Sequence, residues 1–281
     1  MSALSWLVAD ADTGDVLAEH SMHRQLPPAS TLKTLFGVTV RPRLDEAMEH
    51  TVTRSELDAV PAGSSTVGLV AGRTYSVQDL WRGVFLRSGN DAVHVLAGLN
   101  GGWKHTARQI EQRAAELGAS DTRVLSPDGF DAAGQVSSAH DLAVFGRAGL
   151  ANADLAVNFN ARTALFPGAG SGDDREWYEI SNTNRLLTGA NGVTPYKGLV
   201  GVKNGYTSRA GNTLIAAARR SGRTILVAVM NPQSGRNNAV YEEARTLLDW
   251  GFGNVDDAEP VGRLPEPPPP TPLRTAPDHA K

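Results

Sequence analysis

A serine and a lysine stand three residues apart where the sequence predicts the start of a short apolar helix, over residues 30–39. This spacing puts the Ser30 hydroxyl and the Lys33 amine on one helix face, within reach of a hydrogen bond. A serine at a helix start ordinarily serves only as an N-cap. Three residues after an N-cap serine a capping box has an acidic residue, but this position holds Lys33, and the helix dipole disfavours a cation there. Apolar neighbours would desolvate the ammonium and lower its pKa, which suits a general base for a serine nucleophile.

Two further motifs are candidates for a substrate site. Ser88-Gly89-Asn90 lies in a predicted bend between helices, where it would supply a second hydroxyl to relay protons and an amide to bind a substrate carbonyl. Lys203-Asn204-Gly205 ends a predicted strand, where a lysine can hold an anion, a glycine admits a second backbone, and the strand edge can accept an extended peptide. Taken alone, neither motif indicates a substrate site. Ser-Gly-Asn is more often an ordinary turn, and Lys-Asn-Gly is more often the polar end of a strand.

The elements that must hold these motifs follow the order strands, helices, strands and a final helix. Strands are predicted near residues 5–9, 15–20, 199–203, 213–218 and 224–230, from apolar runs bounded by turn residues. Helices are predicted over residues 30–39, 103–117 and 239–250, and after capping boxes at residues 76–79 and 138–141. The predicted fold class is α/β of the α+β kind: an antiparallel sheet flanked by helices, with an inserted, mainly helical subdomain.

The same pattern predicts one domain over residues 1–255, which would carry all three motifs, with its sheet in residues 1–43 and 180–255 and its helical part in residues 44–150. Beyond it, eight of the 16 prolines of the chain fall between Pro260 and Pro277. Residues 256–281 are therefore predicted to be a disordered, proline-rich linker that cannot form a core. A docking site for a proline-binding module is the alternative.

Composition excludes several classes of function. The net charge of −3 gives no basic field for nucleic acid, so no nucleic-acid partner is expected. The absence of cysteine excludes disulfides, thiol catalysis and cysteine-ligated metals. The seven histidines are scattered along the chain without metal-ligand spacing, so no metal site is expected. No run of 18 apolar residues and no signal peptide is visible.

Together and in this chain order, the three motifs resemble those of penicillin-binding proteins and the related β-lactamases. The residues around them narrow the resemblance, over residues 5–252, to the low-molecular-mass D-alanyl-D-alanine carboxypeptidases. The segments that carry it are Pro28-Ala29-Ser30-Thr31-Leu32-Lys33, Gly68-Leu69 through Asp79-Leu80, Ser88-Gly89-Asn90-Asp91-Ala92, Ala115-Glu116-Leu117-Gly118, Pro127-Asp128-Gly129, Asn182-Thr183-Asn184-Arg185-Leu186-Leu187, and Gly201-Val202-Lys203-Asn204-Gly205-Tyr206-Thr207 with Ala210-Gly211.

The resemblance implies an enzyme that removes the terminal D-Ala from peptidoglycan stem pentapeptides and binds β-lactams covalently. Ser30 would attack the carbonyl of the penultimate D-Ala, and Lys33 would take its proton. Ser88 would relay a proton to the departing D-Ala, while Asn90 would position the peptide.

The resemblance also implies a binding site for the terminal carboxylate. Lys203 and Asn204 would face it, with Arg236 as an additional partner. The backbone N–H groups of Ser30 and Tyr206, beside Gly205, would form the oxyanion hole. Asn204 departs from the family's pattern, which has threonine there; its amide can donate, but its oxygen would repel a carboxylate. A change in affinity is the expected result.

Two alternatives remain open at this point. A β-lactamase needs a deacylating glutamate after the Ser-Asn loop, but Glu111 and Glu116 fall in a predicted helix and residues 119–135 contain no glutamate. A catalytically impaired binding protein anchored in the envelope has only the Asn204 substitution in its favour.

A cell-wall substrate also implies an extracytoplasmic site, so we expect that a signal peptide and a C-terminal membrane anchor have been removed from this form of the chain.

Overall fold

The computed structural model describes residues 1–170 and 172–267. Its strands, in chain order, are β1 Ala3–Asp10, β2 Asp15–His20, β3 Glu49–Thr51, β4 Thr74–Ser76, β5 Thr163–Pro167, β6 Trp177–Ser181, β7 Leu199–Thr207, β8 Gly211–Arg220, β9 Arg223–Pro232 and β10 Gly262–Arg263. Its α-helices are α1 Lys33–Val40, α2 Arg54–Asp58, α3 Val77–Leu86, α4 Asn90–Leu99, α5 Trp103–Glu116, α6 Ala139–Leu150, α7 Ala153–Asn160, α8 Arg185–Thr188 and α9 Ala239–Asn254.

The central sheet is assembled from both ends of the described chain. Its six strands lie in the order β10-β2-β1-β9-β8-β7, and each neighbouring pair is antiparallel. The hairpin β1–β2 therefore pairs through β1 with the meander β7–β9. This arrangement leaves β7 at one edge of the sheet and β10 at the other.

Helices cover both faces of the sheet, which explains why its inner strands are apolar on both sides. In β9, Ile225, Val227 and Val229 pack in the same cluster as Leu248 of α9. The alternate residues of β9, such as Leu226, pack in the cluster that contains the buried residues of α6. The sheet is thus a buried central layer between two helical layers, as the α+β prediction required.

The site-bearing helix α1 lies inside the molecule. All of its residues are buried, because the helices of the inserted region pack around it. The ring of Phe36 lies 5.3 Å from that of Trp81 of α3, which in turn stacks on Phe85. A lysine at the first position of such a helix is necessarily removed from water.

The predicted elements form with shifted boundaries. Residues 30–39 divide into a 3₁₀ turn, Ala29–Leu32, and then α1. Strand β7 continues to Thr207, so Lys203-Asn204-Gly205 lies within the strand and not at its end. The Ser76 capping box of α3 is present as predicted.

The boundary predicted after residue 255 is too early. Strand β10 pairs with β2, Leu264 is 2% exposed, and the Arg147 guanidinium donates to the carbonyl of Pro265 at 2.7 Å. The prediction used the average composition of residues 256–281, which the prolines dominate. A two-residue strand and one buried leucine do not change that average, so composition could not indicate them. Residues 268–281, the rest of the predicted linker, lie outside the described residues.

Candidate active site

Ser30 and Lys33 meet at the start of α1, as their spacing predicted. Ser30 lies in the 3₁₀ turn, and the Lys33 Nζ donates a hydrogen bond of 2.8 Å to its Oγ. A second bond of 2.7 Å runs from the same Nζ to the carbonyl oxygen of Asp128. The amine is therefore fixed against the hydroxyl from which a base would take a proton.

The buried position of Lys33 changes its acidity. Burial lowers the pKa of Lys33 from its ordinary value to about 8, while the carboxylates of Asp128 and Asp91 act in the opposite direction. At neutral pH the side chain is then mostly protonated, but far more of it is a neutral amine than in an ordinary lysine, and a neutral amine can accept a proton. The geometry and the acidity of this pair both suit nucleophilic catalysis.

Ser88 and Asn90 lie at the turn that joins α3 to α4. The Asn90 Nδ2 donates to the Oδ2 of Asp128 at 2.9 Å. Within the described residues, neither the Ser88 Oγ nor the Asn90 Oδ1 has a hydrogen-bond partner, although both are buried. Buried polar atoms are rarely left unpaired, so these two atoms are suited to bind a ligand.

Asp128 is one residue of the site that sequence reasoning missed. Its main chain contacts Lys33 and its side chain contacts Asn90, so it brings two of the three motifs together. The neighbouring Gly129 has φ +76°, and a Cβ there would lie 2.1 Å from the carbonyl oxygen of Ala29. The Pro127-Asp128-Gly129 segment was noted only for its family resemblance, and that resemblance assigned Asp128 no role in the site.

Strand β7 carries the third motif past Ser30. A Cβ on Gly205 would lie 2.7 Å from the Ser30 backbone nitrogen, so only glycine allows this approach. The side chains of Lys203 and Asn204 alternate across the strand. The Lys203 Nζ is buried and donates to the Asn204 carbonyl oxygen at 2.7 Å. Burial and the charge of Lys33 hold the pKa of Lys203 well below its ordinary value.

Lys203 and Asn204 therefore occupy different parts of the site. Lys203 lies on the buried side, near Lys33, whereas Asn204 lines an open cavity of about 730 Å³. The Asn204 Oδ1 accepts a hydrogen bond of 3.1 Å from the Thr183 Oγ1. This hydrogen bond turns the Asn204 oxygen toward Thr183. How Asn204 in place of threonine affects a bound carboxylate stays a prediction.

The cavity extends from β7 toward the loop that precedes α9. Gly205 and Tyr206 line it beside Asn204, and Arg236 lies in its wall, 3.5 Å from the Glu242 carboxylate. Arg185, which the sequence did not single out as a site residue, adds a second cation. The guanidinium of Arg185 lies 5.5 Å from the ring centre of Tyr241 and donates to the Asn238 side chain. The cavity is thus suited to an anionic group.

One histidine cluster lies outside this cleft. His23, Asp121 and His140 bring potential ligand atoms within 4.8 Å of one another, so the expectation of scattered histidines holds along the chain but not in space. The His23 Nδ1 is paired with Asp121 at 2.8 Å, and the His140 Nδ1 with Asp141 at 2.9 Å. Each of the two imidazoles thus has a carboxylate partner within the protein. Among the described helices, none is long and apolar enough to cross a membrane.

Comparison with known proteins connects this geometry to a family. The family model of D-alanyl-D-alanine carboxypeptidases matches residues 1–234. D-alanyl-D-alanine carboxypeptidase DacB2 of Mycobacterium tuberculosis is 37% identical over 265 residues, covering 93% of this chain and 86% of that protein. D-alanyl-D-alanine carboxypeptidase DacD of Escherichia coli is 33% identical and matches 92% of this chain; the match spans 65% of that protein's length.

Solved structures show the same similarity. The crystal structure of a D-alanyl-D-alanine carboxypeptidase from Mycobacterium tuberculosis has a TM-score of 0.83 and 35% identity, covering 94% of this chain and 95% of the other. The Streptomyces K15 DD-transpeptidase also has a TM-score of 0.83, at 24% identity, covering 90% of this chain and 98% of the other. At that identity the second similarity concerns the fold.

Proposed function

Because this chain belongs to the D-alanyl-D-alanine carboxypeptidase family, we propose that it removes the terminal D-Ala from peptidoglycan stem pentapeptides through an acyl-enzyme at Ser30. The observation that carries the proposal is the hydrogen bond from the buried Lys33 amine to the Ser30 hydroxyl. A serine is a poor nucleophile until a base removes its proton, and this amine is positioned to do so.

The reaction divides into acylation and deacylation. The Ser30 Oγ attacks the carbonyl carbon of the penultimate D-Ala, and its proton passes to Lys33. The bond from that carbon to the nitrogen of the terminal D-Ala then breaks, and Ser88 relays a proton to the departing amine. Water next attacks the ester, releases the shortened peptide and returns a proton to Ser30. No cofactor is required in this scheme.

The remaining motif residues bind the substrate in this proposal. Asn90 contacts the peptide through the amide atoms that Asp128 leaves free, since only its Nδ2 is bonded to that carboxylate. Asn204 and Arg236 line the cavity that would receive the terminal carboxylate. Lys203 lies deeper, and an approaching carboxylate would favour its charged form. The backbone N–H groups of Ser30 and Tyr206 are the proposed oxyanion hole, since Gly205 approaches the Ser30 nitrogen closely.

β-Lactams are the expected covalent inhibitors, because their strained amide resembles the bond that Ser30 attacks. The β-lactamase alternative needs a deacylating glutamate, and the two glutamates that follow the Ser88-Gly89-Asn90 motif most closely in the sequence do not support it. Glu111 accepts a hydrogen bond from the Val124 backbone, and Glu116 pairs with Arg113 at 3.1 Å. With both carboxylates used structurally, we expect a long-lived penicilloyl adduct.

The substrate also suggests where the protein works. Peptidoglycan lies outside the cytoplasm, so we propose an envelope location, with the proline-rich segment as a spacer to a membrane anchor. Fractionation of cells that produce the full-length protein should find it with the membrane. Recovery from the cytosol would contradict this part of the proposal.

The direct test combines product release with labelling. The wild-type protein should release D-Ala from diacetyl-Lys-D-Ala-D-Ala and retain labelled penicillin on the peptide that contains Ser30. Ser30→Ala and Lys33→Ala should each abolish acylation without unfolding the protein, and the double variant should lose little more, because the two residues act as one unit.

Other outcomes identify the alternatives. Rapid turnover of the penicillin would indicate a β-lactamase, and failure of the folded protein to react with either compound would indicate an impaired binding protein. D-Ala release by folded Ser30→Ala would refute the proposed nucleophile.

A further inference from the structure

We propose that Asp128 is a positioning residue that holds the base and the amide of the site in register with Ser30. This inference rests on the proposed function, because it assigns Asp128 a part in the same reaction. Asp128 belongs to none of the three motifs, and 95 residues separate it from Lys33. Its assignment comes from contacts in space.

Two different groups of Asp128 contact two different motifs. Its backbone carbonyl accepts from the Lys33 Nζ at 2.7 Å, and its Oδ2 accepts from the Asn90 Nδ2 at 2.9 Å. The residue is 1% exposed, so water does not compete for either contact. A movement of this loop would displace the base and the substrate-binding amide together.

The carboxylate is itself held in place. Its Oδ1 accepts from the Ser126 Oγ at 2.8 Å and from the Phe130 backbone at 2.9 Å. One oxygen is thus fixed within its own loop, while the other faces Asn90. Since a carboxylate can only accept hydrogen bonds, it turns the Asn90 nitrogen toward itself and leaves the Asn90 Oδ1 for another partner.

The charge of Asp128 acts on Lys33 as well. Burial lowers the pKa of Lys33, and Asp128 is the larger of two carboxylate influences that raise it. The second is Asp91, whose carboxylate accepts from the backbone nitrogens of Val67, Gly68 and Leu69. Lys203 is a further charged group near Lys33. The partly buried His94 on α4 has its pKa lowered by burial, and the carboxylates of Asp128 and Asp91 act in the opposite direction there too. Removing the Asp128 charge should therefore make the neutral amine more abundant at a given pH.

The test is the pH profile of acylation by a fluorescent penicillin, measured on the wild type and on Asp128→Asn. We expect the midpoint of the ascending limb to fall by on the order of one pH unit in the variant, as loss of a nearby opposite charge requires. The maximal rate should fall, because an asparagine has one acceptor oxygen in place of two and cannot accept from both Asn90 and the Phe130 backbone. Asp128→Ser provides a second uncharged side chain if the asparagine variant does not fold, and thermal unfolding monitors both.

Asp131→Asn is the matched control. This carboxylate lies in the same loop but accepts from the Thr207 Oγ1 at 2.7 Å, so its neutralisation should leave the midpoint in place. If a folded, uncharged Asp128 variant keeps the wild-type midpoint while the wild type is acylated normally, the inference is overturned and the proposed function stands. If the wild type itself is not acylated, the proposed function fails instead.

Discussion

The ammonium of Lys33 lies between opposing electrostatic influences. Burial favours its neutral form, and the carboxylates of Asp128 and Asp91 favour its charged form. The balance leaves a pKa of about 8, between that of an ordinary lysine and that of a fully desolvated one. A base in this range is mostly protonated at neutral pH, yet it becomes neutral within the range in which the protein can be assayed.

This balance predicts the pH dependence of acylation. Because only the neutral amine can accept the Ser30 proton, the acylation rate should rise roughly tenfold per pH unit below the midpoint and level off above about pH 8. The profile is measured with penicillin under single-turnover conditions, at constant ionic strength. A rate that is flat between pH 6 and 9 would show that Lys33 does not titrate in the reacting step.

A second residue-scale prediction concerns Asn204. The Thr183 hydroxyl donates to its Oδ1, which leaves its Nδ2 as the donor available to a substrate carboxylate. Thr183→Val keeps the shape of the side chain but removes this hydrogen bond, so acylation by the tripeptide should slow about fivefold, or ~1 kcal/mol. Thr183→Ser should retain the wild-type rate. Equal rates for the valine and serine variants would mean that Thr183 does not orient Asn204.

At the scale of elements, the local patterns predicted well where local forces decide the structure. Strand β2 forms over Asp15–His20 as predicted, because its alternation and turn residues are sufficient. The capping box at Ser76 and the contact between Ser30 and Lys33 are likewise short-range. The contacts of Asp128 and Thr183 with the motifs depend on how separate elements pack, which a single sequence does not display.

The loop that carries Asp128 provides an element-scale test. Gly129→Ala would put a Cβ 2.1 Å from the Ala29 carbonyl oxygen, which belongs to the turn that holds Ser30. Gly134 has a similarly positive φ, +90°, but its nearest neighbour is 3.8 Å away. Gly134→Ala should therefore cost only the conformational penalty of about 1 kcal/mol, whereas Gly129→Ala should lose clearly more stability and most of its acylation rate. Thermal unfolding and penicillin labelling measure both effects; equal losses in the two variants would contradict the packing argument.

At the scale of the whole molecule, one edge of the central sheet contributes to the candidate active site, and the other contributes to stability. Strand β7 at one edge carries the third motif past Ser30, and β10 at the other edge joins residues 262–264 to the hairpin. The buried Arg147 connects this second edge to the turn after β1, through the carbonyl oxygens of Ala11 and Pro265. Stability and chemistry should therefore be separable by substitutions at opposite edges.

Leu264 provides the test of that separation. Its side chain is 2% exposed, so Leu264→Ala should lower the free energy of unfolding by ~2–4 kcal/mol through lost burial and a residual cavity. Val261 lies three residues earlier and is 60% exposed, so Val261→Ala should change stability by less than about 0.5 kcal/mol. Denaturant unfolding measures both, and the penicillin acylation rate at a temperature where both variants are folded should match the wild type. A large loss of acylation in folded Leu264→Ala would show that the two edges of the sheet are coupled. If Leu264→Ala and Val261→Ala had equal free energies of unfolding, the burial of Leu264 beside β10 would not contribute to stability.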